Sequence, residues 1–118
     1  MIEKFRSVFG NTVKLTQSGI DHMLKRHPEL EGLNLAEEIS LAIEDPDYIV
    51  QGKFGRHIAV RIHPQMKIDK AKYMVVIYEE NDEVITSFIT SNLERIIRRE
   101  VLWRLLSCTE SNQRYLNR

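Results

Sequence analysis

The hydrophobic positions of this chain repeat with a helical period first and with the period of strands afterwards. The first helical pattern ends at about His27, directly before Pro28, because a proline pushes the preceding residue out of helical geometry. The second, NLAEEISLAIED, stops at Pro46 and places one apolar face on Leu35, Ile39, Ala42 and Ile43. Two N-terminal helices are therefore predicted.

A third helix is predicted near the C-terminus. The segment LERIIRREVLWRLL (93–106) stacks Ile97, Val101 and Leu105 at intervals of four. All three predicted helices begin with a capping side chain three residues before an acid, in the pairs Ser18–Asp21, Asn34–Glu37 and Ser91–Glu94. These pairs satisfy free backbone N–H groups and suit the positive end of the helix dipole.

Four strand-like runs separate the second helix from the third. They are DYIVQGK (47–53), RHIAVRIH (56–63), KYMVVIYE (72–79) and EVITSFITS (83–91), and VKLT (13–16) has the pattern of a short edge strand. Phe54-Gly55 and Asn81-Asp82 have the composition of hairpin turns. The prediction is a single α+β domain, 1–118 with its core at about 13–106, built from two N-terminal helices, a four-stranded antiparallel meander sheet and a C-terminal helix.

The run RHIAVRIH alternates cleanly between two sets of side chains. One set is Ile58, Val60 and Ile62, and the other is His57, Ala59, Arg61 and His63. An antiparallel sheet with helices on one side leaves its other side free. We therefore expect the apolar set to face the core and the histidines and arginine to face either solvent or a ligand.

Composition narrows the function classes. The chain has 118 residues, 42% of them hydrophobic and 29% charged, which is typical of a soluble globular protein. No apolar run is long enough to span a membrane, the N-terminus lacks a signal-peptide core, and Cys108 is the single cysteine, so a cytoplasmic protein is expected. Neither metal-ligand spacing nor a glycine-rich phosphate loop is found, so no metal or cofactor is expected.

The uneven distribution of charge along the sequence is compatible with a nucleic-acid partner. The net charge is zero, but residues 29–47 carry acids and no lysine or arginine, whereas Arg95, Arg98, Arg99 and Arg104 fall within ten residues near the C-terminus. A neutral total can hide a basic patch. Lys25, Arg26 and His27 end the first helix, where the dipole favours cations and where a nuclease could bind phosphate.

Four segments resemble a family of small nuclease-fold proteins. They are HMLKRHPEL (22–30), AIEDPDYIVQG (42–52), KYMVVIY (72–78) and VITSFITS (84–91). The chain is similar to the barnase–EndoU–colicin–RelE group, in its phage- and bacteria-associated branch, and more distantly to the BrnT-like toxins. The resemblance implies a metal-independent ribonuclease fold that is often used as a toxin.

The resemblance also implies an active site shared by the end of the first helix, a sheet cation and a hydroxyl on the last strand. On matching positions these are His27 (or His22), Arg61 and Thr86. The further candidates, most of them for binding substrate, are His22, Arg26, Lys53, Arg56, His63 and Ser87. In the resulting hypothesis His27 and His63 transfer protons, because histidine titrates near neutral pH, while Arg61 holds the phosphate and Thr86 donates a hydrogen bond to it.

Two alternatives to a ribonuclease are kept. The fold could have lost cleavage and kept a surface for RNA or for a protein such as an antitoxin. The arginine-rich third helix could pack on that partner, but its apolar stripe is rather expected to cover the domain's own sheet. A small-molecule enzyme finds least support, because nothing in the sequence shapes a pocket or holds a cofactor. RNA is thus the expected partner, and a membrane is not expected.

Overall fold

A computed structural model describes residues 2–32, 34–62, 73–92, 96 and 101–104. The helices are α1 (Gln17–Arg26) and α2 (Leu35–Glu44), with short 3-10 turns at Pro28–Leu30 and Lys53–Gly55. The strands are β1 (Ile2–Arg6), β2 (Thr12–Thr16), β3 (Tyr48–Gln51), β4 (His57–Ile62), β5 (Tyr73–Tyr78), β6 (Val84–Thr90) and β7 (Val101–Arg104). The α+β class predicted from the sequence is confirmed. No helix among the described residues is long and apolar enough to cross a membrane.

Both predicted N-terminal helices form. The predicted apolar face of α2 is buried, and the Asn34 side chain caps its start by accepting a hydrogen bond from the Glu37 amide at 3.4 Å. The cap of α1 is Thr16 rather than the predicted Ser18, because the Thr16 hydroxyl accepts from the Gly19 amide at 3.0 Å. His27 ends α1 by donating its amide to the Met23 carbonyl at 2.7 Å.

The main sheet has five strands rather than the predicted four. Its order is β6-β5-β4-β3-β7, and every neighbouring pair is antiparallel. The extra strand comes from the segment predicted as the C-terminal helix: residues 101–104 form β7 and pair with β3. The rest of the predicted helix, apart from Ile96, lies outside the described residues.

A small second sheet stands at the N-terminus. β1, which the sequence did not predict, pairs along its full length with β2, which extends the predicted edge strand. The Lys14 amide of β2 donates to the carbonyl of Asp82 at 2.8 Å, in the turn between β5 and β6. This hydrogen bond places β2 beside one end of the main sheet.

Both faces of the main sheet pack apolar side chains, and the predicted assignment of faces is wrong. The helix-covered core takes Ala59 of β4, together with Ile49, Met74, Val76 and Tyr78 of the neighbouring strands. Ile58 and Val60 instead belong to a smaller cluster on the opposite face, with Val50 and Val75. Ala59 is small enough to let α2 approach, so His57 and Arg61 flank the larger core at the two ends of β4.

Candidate functional site

An imidazole–carboxylate pair lies at one end of the sheet. His57 begins β4 opposite Tyr78, the last residue of β5, and Glu80 follows Tyr78 by two residues. His57 Nδ1 is 2.8 Å from Glu80 Oε2, and the two side chains are only 17% and 15% exposed. A charge-assisted hydrogen bond of this length, in a partly dry setting, fixes the imidazole firmly.

Ser7, in the turn between β1 and β2, holds the other oxygen of Glu80. Its hydroxyl donates to Glu80 Oε1 at 2.7 Å. The same hydroxyl oxygen accepts from the amides of Phe9 at 3.2 Å and Asn11 at 3.4 Å. Both lone pairs of the hydroxyl oxygen therefore accept hydrogen bonds, and its single proton is donated to the Glu80 carboxylate.

The contacts of His57 assign its tautomer and orientation. An ionised carboxylate only accepts hydrogen bonds, so Nδ1 carries the proton and donates to Glu80, and Nε2 is left with its lone pair. The Phe9 ring packs 5.1 Å from the imidazole, and Tyr78 meets it edge-on at 5.6 Å between centroids. The group is therefore an oriented base, and its Nε2 is the atom that can take a proton.

Tyr78 completes the cluster beneath the imidazole. Burial, followed by the negative charge and the hydrogen-bonding capacity of Glu80, raises the pKa of the Tyr78 hydroxyl far above its usual range. The hydroxyl is fully buried, yet its approach to Glu80 falls short of good hydrogen-bond geometry, and it has no other partner among the described residues. Tyr78 thus stays neutral, and its ring packs against the His57 imidazole.

The order of these groups excludes a serine nucleophile at this position. In a catalytic triad the histidine stands between the serine and the acid. Here Glu80 stands between Ser7 and His57, and the Ser7 hydroxyl gives its proton to the carboxylate. Ser7 is a positioning residue, and the acid–base capacity of the cluster belongs to His57.

The hairpin that leads into β4 carries two of the predicted binding cations. Lys53 is exposed in the turn, and Arg56 directly precedes His57. Arg56 Nε is 3.2 Å from Glu79 Oε2, and its guanidinium carbon lies 5.7 Å from the centroid of the Phe54 ring. These cations therefore sit at the same end of the sheet as the oriented imidazole.

His27 lies elsewhere, at the end of α1 and beside β6, the outer strand of the sheet. Its Nδ1 is 3.5 Å from Glu29 Oε2, and its ring is 6.0 Å from the ring of Phe88 on β6. Phe88 is opposite Val75 on β5, whereas His57 is opposite Tyr78 and one strand further across. Phe88 and His57 are thus offset by roughly 10 Å along the strands and 10 Å across them. They also belong to opposite faces of the sheet, because Val75 and Tyr78 pack in different clusters. His27, beside Phe88, is therefore separate from the His57 cluster.

Arg61 forms hydrogen bonds with the residue that ends α2. Its Nη1 donates to the carbonyl oxygen of Asp45 at 2.6 Å and to Asp45 Oδ2 at 3.1 Å. Asp45 caps the C-terminal end of α2, where a cation is favoured by the helix dipole. Arg61 therefore ties β4 to α2.

Arg61 and Thr86 project from opposite faces of the sheet. Arg61 pairs with Met74, which is in the helix-covered core, whereas Thr86 pairs with Ile77, which packs on the other cluster. Directly paired residues share a face. The predicted group of His27, Arg61 and Thr86 is thus not brought together, and His63, the predicted proton-transfer partner, lies outside the described residues.

The remaining predicted residues divide between core and surface. Ser87 is fully buried, and its hydroxyl donates to the sulfur of Met23 at 3.2 Å, so it serves the packing of α1 on β6. His22 and Arg26 are exposed on α1. None of these three residues contacts the His57 cluster in the described hydrogen bonds and ion pairs.

Sequence reasoning placed His57 beside a histidine and an arginine but did not select it, and it missed Glu80 and Ser7 altogether. Ser7 and Glu80 are 73 positions apart, and the contact depends on how the N-terminal hairpin docks. No spacing pattern carries such a signal.

The described residues hold no group of three or more metal-ligating side chains.

Comparisons with protein-family models, with curated proteins and with solved structures found no match to this chain. The nuclease-fold resemblance of its short motifs accordingly stays a prediction.

Proposed function

We propose that this protein is a metal-independent, toxin-like ribonuclease in which His57 acts as the general base. One observation carries the proposal: Glu80 and Ser7 hold the imidazole in a single tautomer that leaves Nε2 unprotonated, at the end of the sheet that also carries Lys53 and Arg56. The motifs that resemble nuclease-fold proteins supply the substrate class. Here His57 takes the role that the sequence assigned to His27.

RNA can be cut without a metal when a base removes the 2′-hydroxyl proton and cations stabilise the charge that grows on the phosphate. His57 Nε2 takes the proton of the 2′-hydroxyl, and the 2′-oxygen attacks the phosphorus. The bond to the 5′-oxygen breaks, and that oxygen leaves as a hydroxyl after taking a proton from water. Glu80 stabilises the imidazolium that forms. Lys53 and Arg56 attract the phosphate, Lys53 as a compact exposed charge and Arg56 through its planar fork.

A binding module without catalysis is the second candidate. The observation that favours it is the pair of hydrogen bonds from Arg61 to Asp45, which occupy the predicted phosphate-holding group within the fold. In this case the basic hairpin binds RNA, or an antitoxin-like protein covers it. The two candidates differ in whether any RNA bond is broken.

Cleavage of labelled total RNA by the purified protein in EDTA tests the proposal. We expect the wild type to cut and His57→Gln to be slower by about 10² to 10⁴, the usual range for general acid–base catalysis. His27→Gln serves as the matched histidine variant and should cut at the wild-type rate. Loss of cleavage in His27→Gln alone would move the site to α1, and absence of any cleavage at high protein concentration would favour the binding module.

A further inference from the structure

Phe54 stands at the tip of the β3–β4 hairpin with 84% of its surface exposed. Its backbone has a φ of 57° and a ψ of 33°, in the left-handed region that side chains larger than asparagine rarely adopt. Glycine or asparagine is the common choice there. Burial does not repay this strain, because the ring lies in solvent, and backbone strain without a packing reason points to a functional one.

The tip that carries Phe54 is tied together by hydrogen bonds. The Gly52 amide donates to the Arg56 carbonyl at 2.8 Å, and the Arg56 amide donates to the Lys53 carbonyl at 3.0 Å. The Gln51 side-chain amide reaches the Gly52 carbonyl at 3.0 Å. The exposed ring is therefore held on a defined turn, so little conformational entropy remains to be lost when a ligand packs on it.

Two basic residues adjoin Phe54. Lys53 precedes it and is exposed, while the Arg56 guanidinium carbon lies 5.7 Å from the ring centroid. Glu79 balances part of the Arg56 charge through an ion pair of 3.2 Å, so the excess charge at the tip comes from Lys53. An aromatic ring flanked by cations is the combination with which proteins bind single-stranded nucleic acid.

We propose that Phe54 is a stacking platform for one base of a single-stranded RNA, with Lys53 binding the adjoining phosphate. This inference rests on the proposed ribonuclease function and adds a specificity: unpaired rather than duplex RNA, because only an unstacked base can lie on the ring. Arg56 and His57 follow the tip directly, so a strand held on Phe54 continues towards the oriented imidazole.

The test is the affinity for a fluorescein-labelled 2′-O-methyl oligouridine, measured by fluorescence anisotropy. This probe lacks the attacking hydroxyl, so its binding is independent of whether the protein cleaves RNA. We expect Phe54→Ala to weaken binding about tenfold or more, as removal of a base-stacking ring does. Phe54→Tyr, which keeps the ring, should bind like the wild type, and so should Ile62→Ala, which removes an exposed apolar side chain from the other end of β4.

Two further measurements separate stacking from charge and binding from cleavage. Inorganic polyphosphate, which has no bases, should compete equally well against the wild type and against Phe54→Ala. Equal oligouridine affinities of the wild type and Phe54→Ala would overturn the inference, and so would failure of the wild type to bind. If Phe54→Ala weakens binding while the wild type cuts no RNA, the stacking platform stands and the ribonuclease proposal is the part that is wrong.

Discussion

Replacement of Tyr78 by phenylalanine isolates the energetic effect of one buried hydroxyl. The ring packs against His57 and the helix-covered core, so Tyr78→Phe keeps that packing. The hydroxyl itself is fully buried and lacks a well-formed hydrogen bond among the described residues. Leaving such a group unpaired costs about 1–3 kcal/mol. We therefore expect Tyr78→Phe to raise the free energy of unfolding by about 1 kcal/mol at neutral pH.

The gap between the two proteins should widen at alkaline pH. Burial raises the pKa of folded Tyr78 above the value of about 10 that tyrosine has in the unfolded chain. The neutral hydroxyl is thus favoured in the folded state, and the stability linked to it is present below about pH 10 and is lost as the pH rises further. One titrating group changes the free energy of unfolding by about 1.4 kcal/mol per pH unit. Near pH 11 the variant should be more stable by roughly 2 to 3 kcal/mol.

Urea denaturation followed by circular dichroism, at about pH 8 and about pH 11, measures both effects. The two proteins differ only in this hydroxyl, so the difference between their free energies of unfolding reports Tyr78 alone. The reasoning would be refuted if the gap were the same at both pH values, or if Tyr78→Phe were the less stable protein at neutral pH.

Two more substitutions test structural roles inferred above. Arg61→Ala should lower the free energy of unfolding by about 1 kcal/mol, because it removes two hydrogen bonds to Asp45. It should leave any RNA cleavage unchanged. Loss of cleavage in a folded Arg61→Ala variant would place Arg61 in the active site after all. Gly52→Ala should lower the free energy of unfolding, measured by thermal denaturation, by about 1–2 kcal/mol, because the added Cβ would lie 3.0 Å from the Arg56 carbonyl oxygen. An unchanged melting temperature would show that the hairpin backbone shifts to accommodate the Cβ.

The elements that the sequence predicted well are those whose signals are local. The start of α2 depends on Asn34, and its buried face repeats at the helical period, so both are readable from neighbouring residues. β7 illustrates the opposite case. Val101 fits the apolar repeat of a helix, yet β3 offers an unpaired edge, and pairing with that edge decides the conformation of a β-branched and aromatic segment.

The faces of β4 could not be assigned by hydrophobicity alone. Ile58 and Val60 are the larger apolar residues, but the deeper core lies under Ala59, where a small side chain admits α2. The cluster around His57 could not be predicted from the sequence for a related reason. Its partners, Ser7, His57 and Glu80, come from a hairpin turn, a strand start and a strand end that only the tertiary fold brings together.

The chemical form of the RNA termini produced by cleavage tests most directly whether His57 acts as the general base of a ribonuclease. Labelled RNA would be incubated with the wild type and with His57→Gln in EDTA, and the products analysed for their termini. Attack by the 2′-oxygen, with His57 as base, predicts 2′,3′-cyclic phosphate and 5′-hydroxyl ends from the wild type and a loss of these products in a folded His57→Gln variant. Products with 3′-hydroxyl and 5′-phosphate ends, or equal cleavage by both proteins, would contradict the account.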